Sequence, residues 1–325
     1  MLFKNLLLFS LLAISSVAQA QKLETNISVH DPVIIKQDSV YYIFCTGMGV
    51  SVWSSTNMKE WKREKPVFDK APQWAVDAVP GFKGHVWAPD ISFHNGRFYL
   101  YYAVSAFGKN TSCIGLAINK TLDPRSPNYK WNDLGKVIQS VPNRDMWNAI
   151  DPNLIVDENR TPWLDFGSFW DGIKLVKLDS SLQKVAEPEE WHSLASRPRS
   201  SSADSSAGDG AIEAPFIFKK GKYYYLFVSF DYCCRGPKST YKMMIGRSEK
   251  VTGPYLDKDN KDMALGGGSL LLQGDSSWYG VGHNAVATFE NKDYLIFHGY
   301  DAHDNGKPKL RIEELTWVND WPQVK

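Results

Sequence analysis

The fold class this sequence predicts is all-β, a five-bladed β-propeller, and three observations predict it. First, a cassette recurs five times: an acidic or imidazole residue, an apolar run, a short polar turn and a second β-prone run. Second, the five leading residues, Asp31, Asp90, Asp151, Glu213 and His283, follow one another at intervals of 59, 61, 62 and 70 residues. Third, strand-like pieces between the cassettes bring each unit to four short strands, and no long amphipathic helix intervenes. A β-sandwich would hold as many strands but leaves the repeat unexplained.

The elements follow in order. Met1 to Asn5 carry one charge, Lys4; an apolar run from Leu6 to Val17 ends at Ala18-Gln19-Ala20. That pattern predicts a signal peptide over residues 1–20, cleaved after Ala20, because the apolar run is shorter than the roughly 20 residues a membrane span requires. The expectation is a secreted or periplasmic protein whose residues 21–325 form one catalytic propeller domain, with no membrane association after cleavage. The first cassette is HDPVIIKQDSVYYIFCTG (30–47), turned at Lys36 to Ser39. The second is APDISFHNGRFYLYYAVS (88–105), with Asn95-Gly96 as a hairpin turn. The third is IDPNLIVDENRTPWLDFGSFW (150–170), and the fourth GAIEAPFIFKKGKYYYLFVSFDYCC (210–234). The fifth is GHNAVATFENKDYLIFHGYD (282–301). Pro32, Pro152 and Pro215 stiffen the backbone where three of these runs begin. The Ser-rich segment from Ser193 to Gly210 reads as a mobile loop on the rim of any pocket beside Glu213.

Composition excludes several partners. The chain carries a formal charge of +1, and loss of Lys4 with the leader brings it to zero. Nucleic acid or an anionic membrane would need a concentrated basic surface. Twelve Trp and fifteen Tyr are enough both to fill a β core and to meet flat sugar faces. Four Cys are too few for a disulfide scaffold, although the adjacent Cys233 and Cys234 could bond in an oxidising compartment.

In a propeller the innermost strands all run the same way along the channel, so the cassette leaders meet at one end of it. Two or three carboxylates in a pocket lined with Trp and Phe suit glycoside hydrolysis: one protonated acid for the leaving oxygen, one carboxylate to activate water or attack, and a third charge to orient the acid. His283 fits a metal or water ligand, a substrate contact or a satisfied channel histidine. Asp90, inside Trp-Ala-Pro-Asp, reads as a structural hydrogen-bonding residue.

The motifs HDP (30–32), HVWAPD (85–90), NAIDPN (148–153), FGSFWDGIKL (166–175), AIEAPF (211–216), FDYCCRG (230–236) and GHN (282–284) occur in this order across the chain. Together they make it similar to the arabinanases of glycoside hydrolase family 43, of the endo-1,5-α-L-arabinanase kind. The resemblance implies an inverting hydrolase of α-1,5-linked L-arabinan, with Asp31 as general base, Glu213 as general acid and Asp151 tuning and orienting the acid. Inversion implies acid and base roughly 6.5–9.5 Å apart. The implied sugar contacts are Trp87, Phe107, Gly108, Asn148, Ala149, Ile150, Ser168, Phe169 and Trp170. His283 is implied to help hold a calcium ion in the channel, largely through water. The expected partner is arabinan or an arabino-oligosaccharide and the expected state a monomer. Endo attack is the first reading; exo attack, an arabinofuranosidase or xylosidase of the same family, and a non-catalytic carbohydrate-binding propeller are the alternatives.

Overall fold

The computed structural model describes residues 23, 25–200 and 207–324. The expected signal peptide (1–20) and residues 201–206 of the Ser-rich segment lie outside the described residues. Five four-stranded antiparallel sheets make up the body of the fold. The innermost strand of each is the apolar run of one cassette: Val33–Gln37, Pro89–His94, Asn153–Val156, Ile212–Lys220 and Trp278–Phe289. The second run of each cassette pairs with it across the polar turn, as at Arg97–Val104 and Tyr223–Phe230. Among the described residues no helix is long and apolar enough to cross a membrane.

The second strands read as nearly continuous apolar runs because both faces of each blade are covered. Along Arg97–Val104, Phe98, Leu100 and Tyr102 pack against blade one, whereas Tyr99 and Tyr101 pack against blade three. The same alternation produces five apolar clusters, one between each pair of neighbouring sheets. Burying one such side chain contributes about 1.5–3 kcal/mol, so sheet-on-sheet packing holds the ring together. The ring closes through the segment before blade one. Leu23 bridges to Ile312 of blade five, Leu310 N–H donates to Ile27 O at 3.1 Å, and Thr25 Oγ1 donates to Leu310 O at 2.7 Å.

The cassette leaders do not occupy one equivalent position. In four blades a residue with positive φ stands two positions before the paired run of the inner strand, as a kink at its start in blades one and three and as a bulge in blades four and five: Asp31 (54°), Asp151 (58°), Ala214 (54°) and His283 (53°). The second strand meets the same offset each time: Val33 pairs with Phe44, Asn153 with Asp165, Phe216 with Phe227 and Ala285 with Ile296. Glu213 therefore stands one residue before the position of Asp31 and Asp151, and Ala214 occupies the kink itself. Asp90 stands beyond that position, on a strand whose start has no such kink. Its Oδ2 accepts Leu154 N–H of blade three at 2.8 Å. Asn153, at the matching point of blade three, accepts Ile217 N–H of blade four at 2.9 Å. These are ties between blades, in keeping with the structural role expected of Asp90; burial pushes its carboxyl up to about 6.

Candidate active site

The kinked strand starts open into a cavity of about 890 Å³ at one end of the channel. Asp31, Trp87, Phe107, Gly108, Asn148, Ile150, Asp151, Ser168, Phe169, Trp170, Glu213 and His283 all line it. Ala149 does not: it is fully buried in the apolar cluster between blades two and three. Its neighbours face the cavity, but the alternation of the chain turns its methyl group away, so it makes no side-chain contact with a ligand there. A left-handed backbone is costly for a non-Gly residue, least so for Asp. Asp31 and Asp151 spend that conformation on turning their carboxyls towards the channel mouth.

Asp31 is saturated with donors. Its Oδ1 lies 2.8 Å from His30 Nδ1 and 3.0 Å from His283 Nδ1, and its Oδ2 accepts Thr46 Oγ1–H at 2.5 Å. Burial would raise its pKa, but the neighbouring His283 and His30 outweigh burial and hold it well below the usual carboxylate range. Burial disfavours charge on His283 too, and the surrounding acids, Asp31 first, overturn that and push it up to about 9. Asp31 and His283 thus form an ion pair. His298 Nδ1, 3.7 Å from Asp31 Oδ1, is a different case. That nitrogen accepts Asp31 N–H at 3.1 Å, and burial keeps the ring well below its ordinary pKa, so it is neutral and forms no salt bridge.

Glu213 is aimed by two hydroxyls. Ser168 Oγ donates to Oε2 at 2.9 Å, and Tyr241 Oη donates to Oε1 at 2.6 Å. Asp151 Oδ2 accepts Ala214 N–H at 3.0 Å, which ties the third carboxylate to the residue next to Glu213. Burial, with the charges of Glu213 and Asp31 added, pushes Asp151 up to about 8 against the opposing pull of His283. Asp151 thus favours its protonated form, next to the residue expected to donate a proton.

Aromatic rings form the rim. Trp87 and Phe107 stand edge to face with centroids 6.5 Å apart, and Phe107 is 82% exposed. Phe169 lies 6.1 Å from Tyr232. Phe169 and Trp170 both adopt positive φ (52° and 38°), and Trp170 is buried. Cys233 and Cys234 are disulfide-bonded and belong to the same rim. The Ser-rich segment is less free than its composition suggests. Ser193 to Ala195 end the outer strand Trp191–Ala195, and Arg197 donates to Ala211 O and pairs with Asp231 at 2.7 Å. Ala207 reaches the cavity.

The residues around His283 do not make a calcium cage. Calcium takes six to eight oxygen ligands, and His283 Nδ1 is engaged with Asp31. Among the described residues, the tight donor groups are His30–Asp31–His298 and His30–Cys233–Cys234, rich in nitrogen and sulfur. Sequence reasoning missed Thr46, Tyr241, His298 and Tyr300. His30 stood in view inside the HDP motif, whereas Tyr241 follows no pattern and is recognisable only through Gly282. A Cβ on Gly282 would fall 2.2 Å from Tyr241 Cδ1, so the glycine of GHN makes room for the phenol that reaches Glu213.

Comparison with known proteins gives this geometry a family context. Residues 25–322 match the family described as Glycosyl hydrolases family 43. The chain is 53% identical over 301 residues to an extracellular exo-α-(1→5)-L-arabinofuranosidase of Cellvibrio japonicus, covering 92% of this chain and 87% of that protein. It is 44% identical over 302 residues to an extracellular endo-α-(1→5)-L-arabinanase of Bacillus subtilis, covering 92% and 88%. The structure of Cellvibrio cellulosa α-L-arabinanase complexed with arabinohexaose superposes with a TM-score of 0.90 at 53% identity, covering 92% of this chain and 96% of that one.

Proposed function

The chain belongs to glycosyl hydrolase family 43, and on that premise we propose that it hydrolyses the α-1,5 linkages of L-arabinan with inversion at the anomeric carbon. It is a glycoside hydrolase acting on arabinan. The observation that carries the mechanism is the opposite treatment of two buried carboxyls in one cavity: Asp31 held ionised by imidazoles, Asp151 held protonated by burial and neighbouring acids.

In this reading Asp31 is the general base. Oδ1 is occupied by two imidazoles and Oδ2 by Thr46, so the second lone pair of Oδ2 is the basic position left for water. Glu213 is the general acid that protonates the leaving oxygen, steered by Ser168 and Tyr241. Asp151 orients this acid through Ala214 and, as one unit with it, keeps a proton beside the leaving group. Trp87 and Phe107 offer ring faces and edges to the furanose units.

On the mode of attack the relatives divide. The greater identity lies with the protein named as exo-acting, and this favours attack from chain ends over the endo reading expected from sequence. The endo-named relative at 44% supports the second reading. Product analysis during digestion of debranched arabinan separates them: one short product from the first minutes means exo attack, and a ladder of long oligosaccharides means endo attack. Export follows from the leader pattern of residues 1–20 and fits the extracellular relatives; N-terminal sequencing of exported protein, expected to begin at Gln21, tests it.

A further inference from the structure

Beside Asp31, along the wall of the cavity, a chain of hydrogen bonds runs out to the disulfide turn on the rim. Cys234 N–H donates to Tyr300 Oη at 2.7 Å. Tyr300 Oη is 2.8 Å from His30 Nε2, and His30 Nδ1 is 2.8 Å from Asp31 Oδ1. The direction of each bond follows from its ends. A backbone N–H can only donate, so the phenol oxygen accepts at that point and its own proton is free for His30. An ionised carboxylate can only accept, so His30 Nδ1 carries the hydrogen that points at Asp31. With the Tyr300 hydroxyl donating to Nε2 and Nδ1 facing the carboxylate, the imidazole carries its hydrogen on Nδ1. Cys234 Sγ is 3.8 Å from the same Nε2, but in a disulfide it has no hydrogen with which to compete.

We propose that Tyr300 is a positioning residue for Asp31: through His30, and anchored by the Cys233–Cys234 turn, it fixes the tautomer and orientation of the imidazole that aims the base. Tyr300 is 2% exposed and its effect on the reaction is indirect. The inference rests on the reading of Asp31 as base. It assigns a task to three features outside the expected machinery: the histidine of HDP, the tyrosine of HGYD and the paired cysteines. Stacking of His30 on His298, with centroids 4.0 Å apart, holds the ring plane while the two hydrogen bonds set its rotation.

The test is a double-mutant cycle on the full chain with debranched arabinan, using Tyr300→Phe, His30→Gln and the double variant. Tyr300→Phe keeps the ring in its slot and removes the hydroxyl. We expect it to lower kcat about tenfold, the scale of one hydrogen bond to a charged network, with KM within about twofold. Because Tyr300 acts through His30, the double variant should be no slower than His30→Gln alone. Losses that add, or an unchanged kcat in Tyr300→Phe, overturn the proposal. Asp31→Asn is run alongside. If it retains turnover, the base assignment fails and the proposal with it; if it is inactive while Tyr300→Phe is fully active, only the relay fails. Should Tyr300→Phe not fold, ¹⁵N NMR of histidine in the wild-type protein reads the tautomer directly, with His30→Gln identifying the signal. A hydrogen on Nδ1 and a bare Nε2 support the relay; a hydrogen on Nε2 overturns it.

Discussion

Tyr241 Oη stands 2.6 Å from Glu213 Oε1, inside a pocket that Gly282 of the neighbouring blade leaves open for the ring. The phenol is buried, and burial together with the Glu213 carboxyl beside it holds it well above its ordinary pKa. It is therefore a permanent donor. With Ser168 on the other oxygen, it restricts the rotation of a carboxyl that has to meet one leaving oxygen.

Tyr241→Phe should lower kcat on arabinan by about ten- to a hundredfold while KM moves little, since one charge-assisted hydrogen bond is worth about 1.5–3 kcal/mol. Steady-state kinetics check it, with circular dichroism confirming the fold.

Gly282→Ala should destabilise the protein by about 1–3 kcal/mol, the usual cost of forcing a methyl group into a packed site. The new Cβ meets a rigid aromatic ring at 2.2 Å rather than a flexible chain end. A lower denaturation midpoint is expected, together with reduced turnover, because the ring that yields is the one holding Glu213.

Activity should fall as pH rises through about 8. Asp151 has a raised pKa, so the form that keeps the proton beside the leaving group exists below that value and is lost above it. Asp31 is lowered, so its ionised form persists far into acid and the acidic limb lies well below the ordinary carboxylate range. The profile of kcat/KM against pH measures both limbs.

Asp90→Ala should lower stability by about 1–3 kcal/mol with kcat close to wild type. It leaves the buried Leu154 N–H without its acceptor but removes nothing from the cavity. Denaturant unfolding and kinetics on one sample separate the two effects.

Much of this architecture was legible because its causes are periodic. Apolar runs such as Phe98 to Val104 alternate their faces between two neighbouring sheets, and five such units spaced along the chain specify the ring. The carboxylates Asp31, Asp151 and Glu213 were legible because inner strands converge. Their register was not: the bulge that places Ala214 rather than Glu213 at the kink depends on backbone conformation, which the spacing of 59 to 70 residues does not encode. Nor did the sequence show which carboxyl would hold a proton, since that depends on burial and on imidazoles brought in by other blades. Thr46, Tyr241 and Tyr300 act through contacts between segments far apart in the chain, and no local pattern marks them.

We propose that Asp31 and Glu213 together carry out a one-step displacement by water on α-1,5-linked arabinan. Proton NMR of the first products from debranched arabinan, recorded before the sugars mutarotate, tests it most directly. The β anomer is expected first, with the α anomer growing in later. Initial release of the α anomer would contradict it.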